Sequence, residues 1–279
     1  MNIFLCIFTK VNKLPRRLNK DRQVIDLKFK QFVIVITICF LSSCGDGRVQ
    51  LSEIHGKQLP VDPSIPQVDS ITDFVAPFRT RINQVLDSPL SHAPRPILLD
   101  EGQRNTSMGN LMADIVMEET APLLRSRTGR ELDFVALNHG GIRSIISAGT
   151  VTARNAYEVM PFENYIVVVE LDGTATRKLI DFLAKADRGH PISGIKIVLD
   201  KHGNLDSADI QGKPFDEGRH YFVATSDYLV QSGPSVGFFD EIVSVIPIDY
   251  LLRNAMIDNF AKKDSLIAVV DDRFIQLER

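Results

Sequence analysis

The residues best equipped for chemistry in this chain are Asn138-His139-Gly140-Gly141-Ile142-Arg143 and, soon after, Tyr157-Glu158-Val159-Met160-Pro161-Phe162-Glu163-Asn164. An Asn amide both donates and accepts hydrogen bonds. Two successive glycines let backbone approach a ligand or take positive φ. An Arg fork suits phosphate or carboxylate. Phe162, on a Pro-bent loop, adds a ring face. Together these residues suit a flat, anionic ligand. The same turn equally suits a bulged strand end with a solvated Arg, and core packing is the alternative role for Phe162 and the later Tyr228.

Two other segments have the form of catalytic motifs. Asp200-Lys201-His202 is an Asp-x-His pair, but no partner motif follows it and it falls in a Gly- and Asn-rich turn. Gly233-Pro234-Ser235-Val236-Gly237 has the Gly-x-Ser-x-Gly form of a nucleophile elbow. That architecture places its His after the Ser, whereas all six His precede Ser235. Neither segment is read as catalytic. The chain is assigned no catalytic residue, no metal ligand and no cofactor of its own.

The elements that must position the Asn138 turn follow from periodicity. Apolar residues at helical spacing predict helices over Ile71–Leu86, with Ser70 as N-cap, and over Met108–Leu124. Pro89 to Pro96 breaks the first of these. Asp133–Leu137 reads as a short strand that delivers the turn, and Ala153–Val159 as a short helix. Tyr165–Leu171 is a Val- and Ile-rich strand, turned by Asp172-Gly173 into a helix over Thr174–Lys185. Ile195–Leu199 and Ser207–Ile210 form a hairpin, and Tyr221–Ser226 a further strand. Phe239–Ile246 is ambiguous, and Ile248–Phe260 reads as helical. Mixed helices and hairpins predict an α+β fold, a mixed β-sheet with packed helices.

The N-terminus has a different character. A strongly basic run, Lys10 to Lys30, precedes a short apolar run, Phe32 to Leu41, and then Leu41-Ser42-Ser43-Cys44. The apolar run falls short of the ~20 residues that span a bilayer and fits a signal-peptide core. The last four residues have the form of a lipobox. Residues 1–44 are therefore expected to be a signal peptide with Cys44 lipidated, and 45–70 a polar, Pro-spaced tether. Residues 71–279 are expected to form one domain. The location expected is extracytoplasmic and membrane-anchored, periplasmic or at the cell surface. All three cysteines lie at or before Cys44, so the folded part is expected to lack disulfides. With 44% hydrophobic residues, 24% charged and a net charge of -3, the composition is that of an ordinary globular chain. A broad basic footprint for nucleic acid is excluded.

Four segments, in order, resemble the C-terminal domain of 5′-nucleotidases, the half of those enzymes that grips the nucleoside. Arg104 with Met108-Gly109-Asn110-Leu111-Met112-Ala113-Asp114 is similar to the segment that opens that domain. Asn138 to Arg143 resembles its Gly-rich turn, with His139 replacing the first turn glycine. Pro161-Phe162-Glu163-Asn164 resembles its aromatic loop, and Tyr221 to Leu229 the strand and aromatic turn that close the site. The resemblance runs from about Ile71 to the C-terminus. It implies that Phe162 and Tyr228 sandwich a base and that Asn138, with Gly140, Gly141 and Asn164, contacts the nucleoside. It implies too that Arg104 and Arg143 face phosphate or base. Where the family has a ribose-binding Asp, this chain has Pro234, which has no side-chain acceptor.

The family's two-metal phosphoesterase domain precedes this one, and only 45–70 precede the matching region here. The expectation is thus the nucleotide- or nucleoside-binding half of a 5′-nucleotidase-type hydrolase system. A separate metallophosphoesterase chain would carry the divalent metals, and this chain would be inactive alone. The alternative is a non-catalytic nucleoside-binding or structural lipoprotein.

Overall fold

The computed structural model describes residues 19–41, 53–62, 64–102, 104–232, 239 and 241–278, with backbone alone for 19–26 and 39–41. Contacts divide the chain at Pro66 into two units. In the first unit, α1 (Asn19–Leu41) is one continuous helix that takes in the end of the basic run, from Asn19, and the apolar run. Among the described residues no helix is long and apolar enough to cross a membrane. Cys44 and its flanking residues lie outside the described residues.

The second unit begins with α2 (Asp69–Leu86), whose N-cap is Val68 without a side-chain bond, so the expected Ser70 cap is not used. The segment expected only to break that helix forms strand β1 (Pro89–Ala93). It pairs antiparallel with β3 (Gly149–Thr152), which satisfies backbone groups that a loop would leave to water. Helix α3 (Ser107–Thr128) starts where Thr106 Oγ1 accepts from Gly109 N at 3.0 Å. It ends at Gly129, whose φ of 71° provides a left-handed C-cap.

The core of this unit is a five-stranded mixed sheet. Its strands are β2 (Phe134–Ala136), β4 (Tyr165–Leu171), β5 (Ile192–Ser193), β9 (Tyr221–Ser226) and β10 (Ser244–Leu251), in the order β10-β4-β9-β2-β5. Only the β2–β9 pair is parallel. Side chains alternate across a pleated strand, and here both faces are apolar. Val135, Ile166, Val168, Phe222 and Ala224 enter one core with α3, α4 (Ala153–Val159) and α7 (Leu252–Lys262). Phe134, Ala136, Val169, Leu171, Tyr221 and Val223 enter the other. That core is closed by α5 (Gly173–Lys185) and by a four-stranded sheet of β6 (Ile195–Leu199), β7 (Leu205–Ile210), β8 (Lys213–Pro214) and β11 (Phe274–Gln276). The arrangement is α+β, as expected.

One long element differs from its periodicity. Ile248–Phe260 reads as a helix, yet β10 runs on to Leu251 and α7 begins only at Leu252. The register shifts between Pro247 and Tyr250, where Asp249 has φ 53°, a bulge that keeps the strand paired with β4. Pairing with a long neighbouring strand overrides local propensity.

Candidate functional site

Strand directions bring the candidate residues to one end of the sheet. β2 and β9 are parallel, so the turn after Ala136 and the turn after Ser226 leave from the same end. β4 is antiparallel to β9, with Ile166 opposite Ser226, so the loop that enters β4 arrives at that end too. The start of β5 joins them, since Ile192 pairs with Ala136. There a cavity of about 260 Å³ is lined by Asn138, Gly140, Gly141, Phe162, Asn164 and Tyr228. It lies at or below the lower end of the roughly 300–1,000 Å³ usual for small-molecule sites, a size suited to one ring system.

The Asn138 turn forms the polar wall. It is a single 3-10 turn over His139–Gly141, with Gly141 N donating to Asn138 O at 3.1 Å. Neither glycine takes positive φ; what they supply is room. A Cβ on Gly141 would stand 3.1 Å from Asn138 Oδ1 and 3.4 Å from Met160 Cε. The turn is held from two sides. Arg143 N donates to Val159 O at 2.8 Å, and His139 N donates to His190 Nδ1 at 3.2 Å. Burial lowers the pKa of His190 from 6.5 to about 4. The ring is therefore neutral at pH 7, and Nδ1 accepts the His139 N–H. Phe182 packs on it, ring centroids 5.5 Å apart.

The aromatics stand outside both cores: Phe162 is 43% exposed and Tyr228 48%. Core packing is thus excluded as the reason for either ring. Their loops are clasped together by one side chain. Asp227 Oδ1 accepts from Tyr165 N at 3.1 Å, beside the Phe162 loop, and from Tyr228 N at 2.8 Å. Leu252 N donates to Asn164 O at 3.0 Å. Buried Arg253 reaches the same loop, its Nη1 lying 3.4 Å from Met160 O and 3.3 Å from Phe162 O. Its guanidinium stacks 4.2 Å from the centre of the Tyr157 ring. Asp227 and Arg253 escaped sequence reasoning. An Asp at the start of the short helix α6 (Asp227–Gln231) and an Arg in α7 carry no signal until tertiary contact gives them a role.

Two of the expected ligand-facing arginines do not line the cavity. Arg104 donates through Nη1 to Ala186 O at 2.6 Å, and its guanidinium lies 5.8 Å from the Phe274 ring centre. It braces the segment that leads to His190: a Cβ on Gly189 would run into the Arg104 carbonyl. Arg143 is exposed, one residue past the turn. The Asn residues around Arg104 are structural. Asn110 Nδ2 donates to Val269 O at 2.8 Å and to Asn105 Oδ1 at 3.0 Å, while Asn105 Nδ2 reaches Asp271 O and Phe274 O, both at 3.1 Å. Arg273, paired with Asp114 and Asp271, completes this seam, and those carboxylates hold its pKa above the usual arginine value against the cost of burial.

The two motif look-alikes resolve differently. Asp200 Oδ1 accepts from His202 N at 2.8 Å and Asn204 N at 2.9 Å, which is turn chemistry. Its carboxyl is held below the usual value, first by the Asn204 side chain. Among the described residues no group of three His, Cys, Asp or Glu is placed to hold a metal. Residues 233–238, including Pro234 and Ser235, lie outside the described residues.

The described lining holds amides, glycine backbone and two rings, with no carboxylate, imidazole or thiol. Such a wall can stack and hydrogen-bond a flat ligand but offers no general base. The fold is that of an α+β domain with a small cavity where these loops meet at one end of the sheet. The chain belongs to the family described as 5′-nucleotidase, C-terminal domain, whose profile matches residues 91–241. Protein UshA of Escherichia coli (strain K12) is 27% identical over 184 residues, 61% of this chain and 30% of that protein. Protein UshA of Yersinia enterocolitica is 28% identical over 214 residues, 73% of this chain and 36% of that protein. The chain thus spans about a third of these relatives. The 5′-nucleotidase precursor of Thermus thermophilus shares the fold, with a TM-score of 0.61 at 18% identity over 76% of this chain and 43% of that one.

Proposed function

We propose that this chain is the nucleoside- and nucleotide-binding half of a 5′-nucleotidase-type hydrolase system, with the base stacked at Phe162 and Tyr228 and its polar edge met by Asn138 and Asn164. One observation carries the reading: two aromatics, both exposed, line a single cavity from loops clasped by one carboxylate. Exposed rings cost hydration unless a ligand covers them. In this reading the described lining binds the ligand, through its ring faces and amides. A separate metallophosphoesterase chain supplies the divalent metals and the activated water. Arg143, exposed beside the turn, is the arginine available to an anionic substituent. The basic run, the apolar run and Cys44 support an extracytoplasmic, lipid-anchored location, with 45–70 as tether and 71–279 as the binding domain.

Calorimetry with adenosine, AMP and a UDP-sugar tests the reading. Stacking contributes about 1–3 kcal/mol per base. Phe162→Ala or Tyr228→Ala should therefore weaken binding roughly 5- to 150-fold. Absence of binding by all three ligands would refute the site. Release of phosphate from AMP by the purified chain with Mn²⁺ alone would refute the division of labour.

A further inference from the structure

Helix α2 has 18 residues and buries none of them. Its apolar side chains still form one stripe: Ile71, Phe74, Val75, Phe78, Ile82 and Val85 recur at three- and four-residue spacing. Five of the six are more than half exposed, from Ile82 at 54% to Phe74 at 70%. Phe74 and Phe78 pack on each other in the open, ring centroids 5.7 Å apart. At about 100° per residue the stripe spans roughly a third of the helix circumference. Arg79 and Arg81 fall just outside its two edges, and Asp69, Asp73 and Asp87 fall on the opposite side. The polar side is the one tied to the domain: Arg154 of α4 binds Asp87 (2.5 Å) and Asn83 (2.9 Å). One edge of the helix, at Thr72, Val75 and Leu86, is half-buried, and the rest of the stripe faces solvent.

An apolar stripe edged on both sides by arginines, with the acids behind it, is complementary to an anionic lipid surface. Apolar rings enter the acyl boundary, and arginine stems run along it while their heads reach the phosphates. Two arginines and two aspartates within the helix rule out a spanning segment. We infer that α2 lies in the plane of an anionic membrane and docks the binding domain on it, a contact distinct from any lipid at Cys44.

The chain has no Trp, so a single introduced indole reports one position without background. Full-length Phe78→Trp and Gln84→Trp, the second on the polar side, are to be mixed with phosphatidylglycerol-containing and pure phosphatidylcholine vesicles. Trp emission at position 78 should shift to the blue and be quenched by brominated acyl chains on anionic vesicles, while emission at position 84 stays water-like. In the Phe78→Trp background, Arg79→Gln with Arg81→Gln should raise the anionic lipid needed for the half-maximal shift roughly 5-fold per arginine, since each such charge is worth about a factor of 5 in partitioning to an anionic surface. Emission at 78 unmoved by anionic vesicles overturns the inference, as does an equal shift at 84. A blue shift at 78 that grows with protein concentration without lipid assigns the stripe to a second copy and also overturns it.

Discussion

Replacing Asp227 with Ala removes a side chain that joins the two aromatic loops. It accepts from Tyr165 N at 3.1 Å and Tyr228 N at 2.8 Å. Charge-assisted bonds to backbone N–H contribute about 1.5–3 kcal/mol each when buried. Asp227 is half-buried, and water replaces part of each bond, so about 1 kcal/mol each is the appropriate scale, ~2 kcal/mol for the pair. The bonds lie at the first residue of β4 and just past the end of β9, and the two cores do not depend on them. The loss should fall mainly on loop order and hence on binding, which must then order the loops itself. Nucleoside affinity should drop about thirtyfold with only a few degrees of change in Tm. Asp227→Asn keeps an acceptor oxygen and should recover at least half of the lost free energy. Hydrogen exchange reads the same event without ligand: the Tyr165 and Tyr228 amides should lose protection in Asp227→Ala while β9 and the rest of β4 keep theirs. Unchanged protection at both amides would refute the clasp. Wild-type affinity in spite of lost protection would refute its link to binding.

Acid should loosen the fold through His190. Its pKa is about 4 folded against 6.5 free, so the unfolded chain binds the extra proton. Stability is complete above about pH 6.5 and declines as pH falls toward 4, by up to ~3 kcal/mol. Urea denaturation at pH 7 and pH 4.5 should show the decline, and His190→Gln should flatten it; an equal slope in the variant would count against this assignment. Gly189→Ala forces a Cβ into the Arg104 carbonyl and should cost about 1–3 kcal/mol by overpacking. It should also shift the His139 amide resonance, because His190 is the next residue. Arg253→Met should weaken nucleoside binding by several-fold through loss of its hold on the Phe162 loop. Stability should change little, since removing a buried charge offsets the lost bonds; a large Tm loss with intact binding would reverse that assignment.

Sequence and tertiary structure divide along a physical line. The Val- and Ile-rich strands, the Asp172-Gly173 turn into α5 and the α3 periodicity were legible because pleat and helix period are local properties. The β10 bulge was not, because what keeps residues 248–251 extended is pairing with β4, a neighbour some 80 residues away in sequence. The same holds at the site. Amides, glycines and rings at Asn138–Gly141, Phe162, Asn164 and Tyr228 declared their chemistry by residue type. Whether they meet was decided by the parallel β2–β9 pair and the antiparallel β4, which bring three loops to one end of the sheet. Arg104 shows the converse: the family resemblance implies a residue facing phosphate or base, yet in the fold its guanidinium donates to the Ala186 carbonyl. Residue type fixes what a side chain can bind, and long-range strand pairing fixes what it can reach.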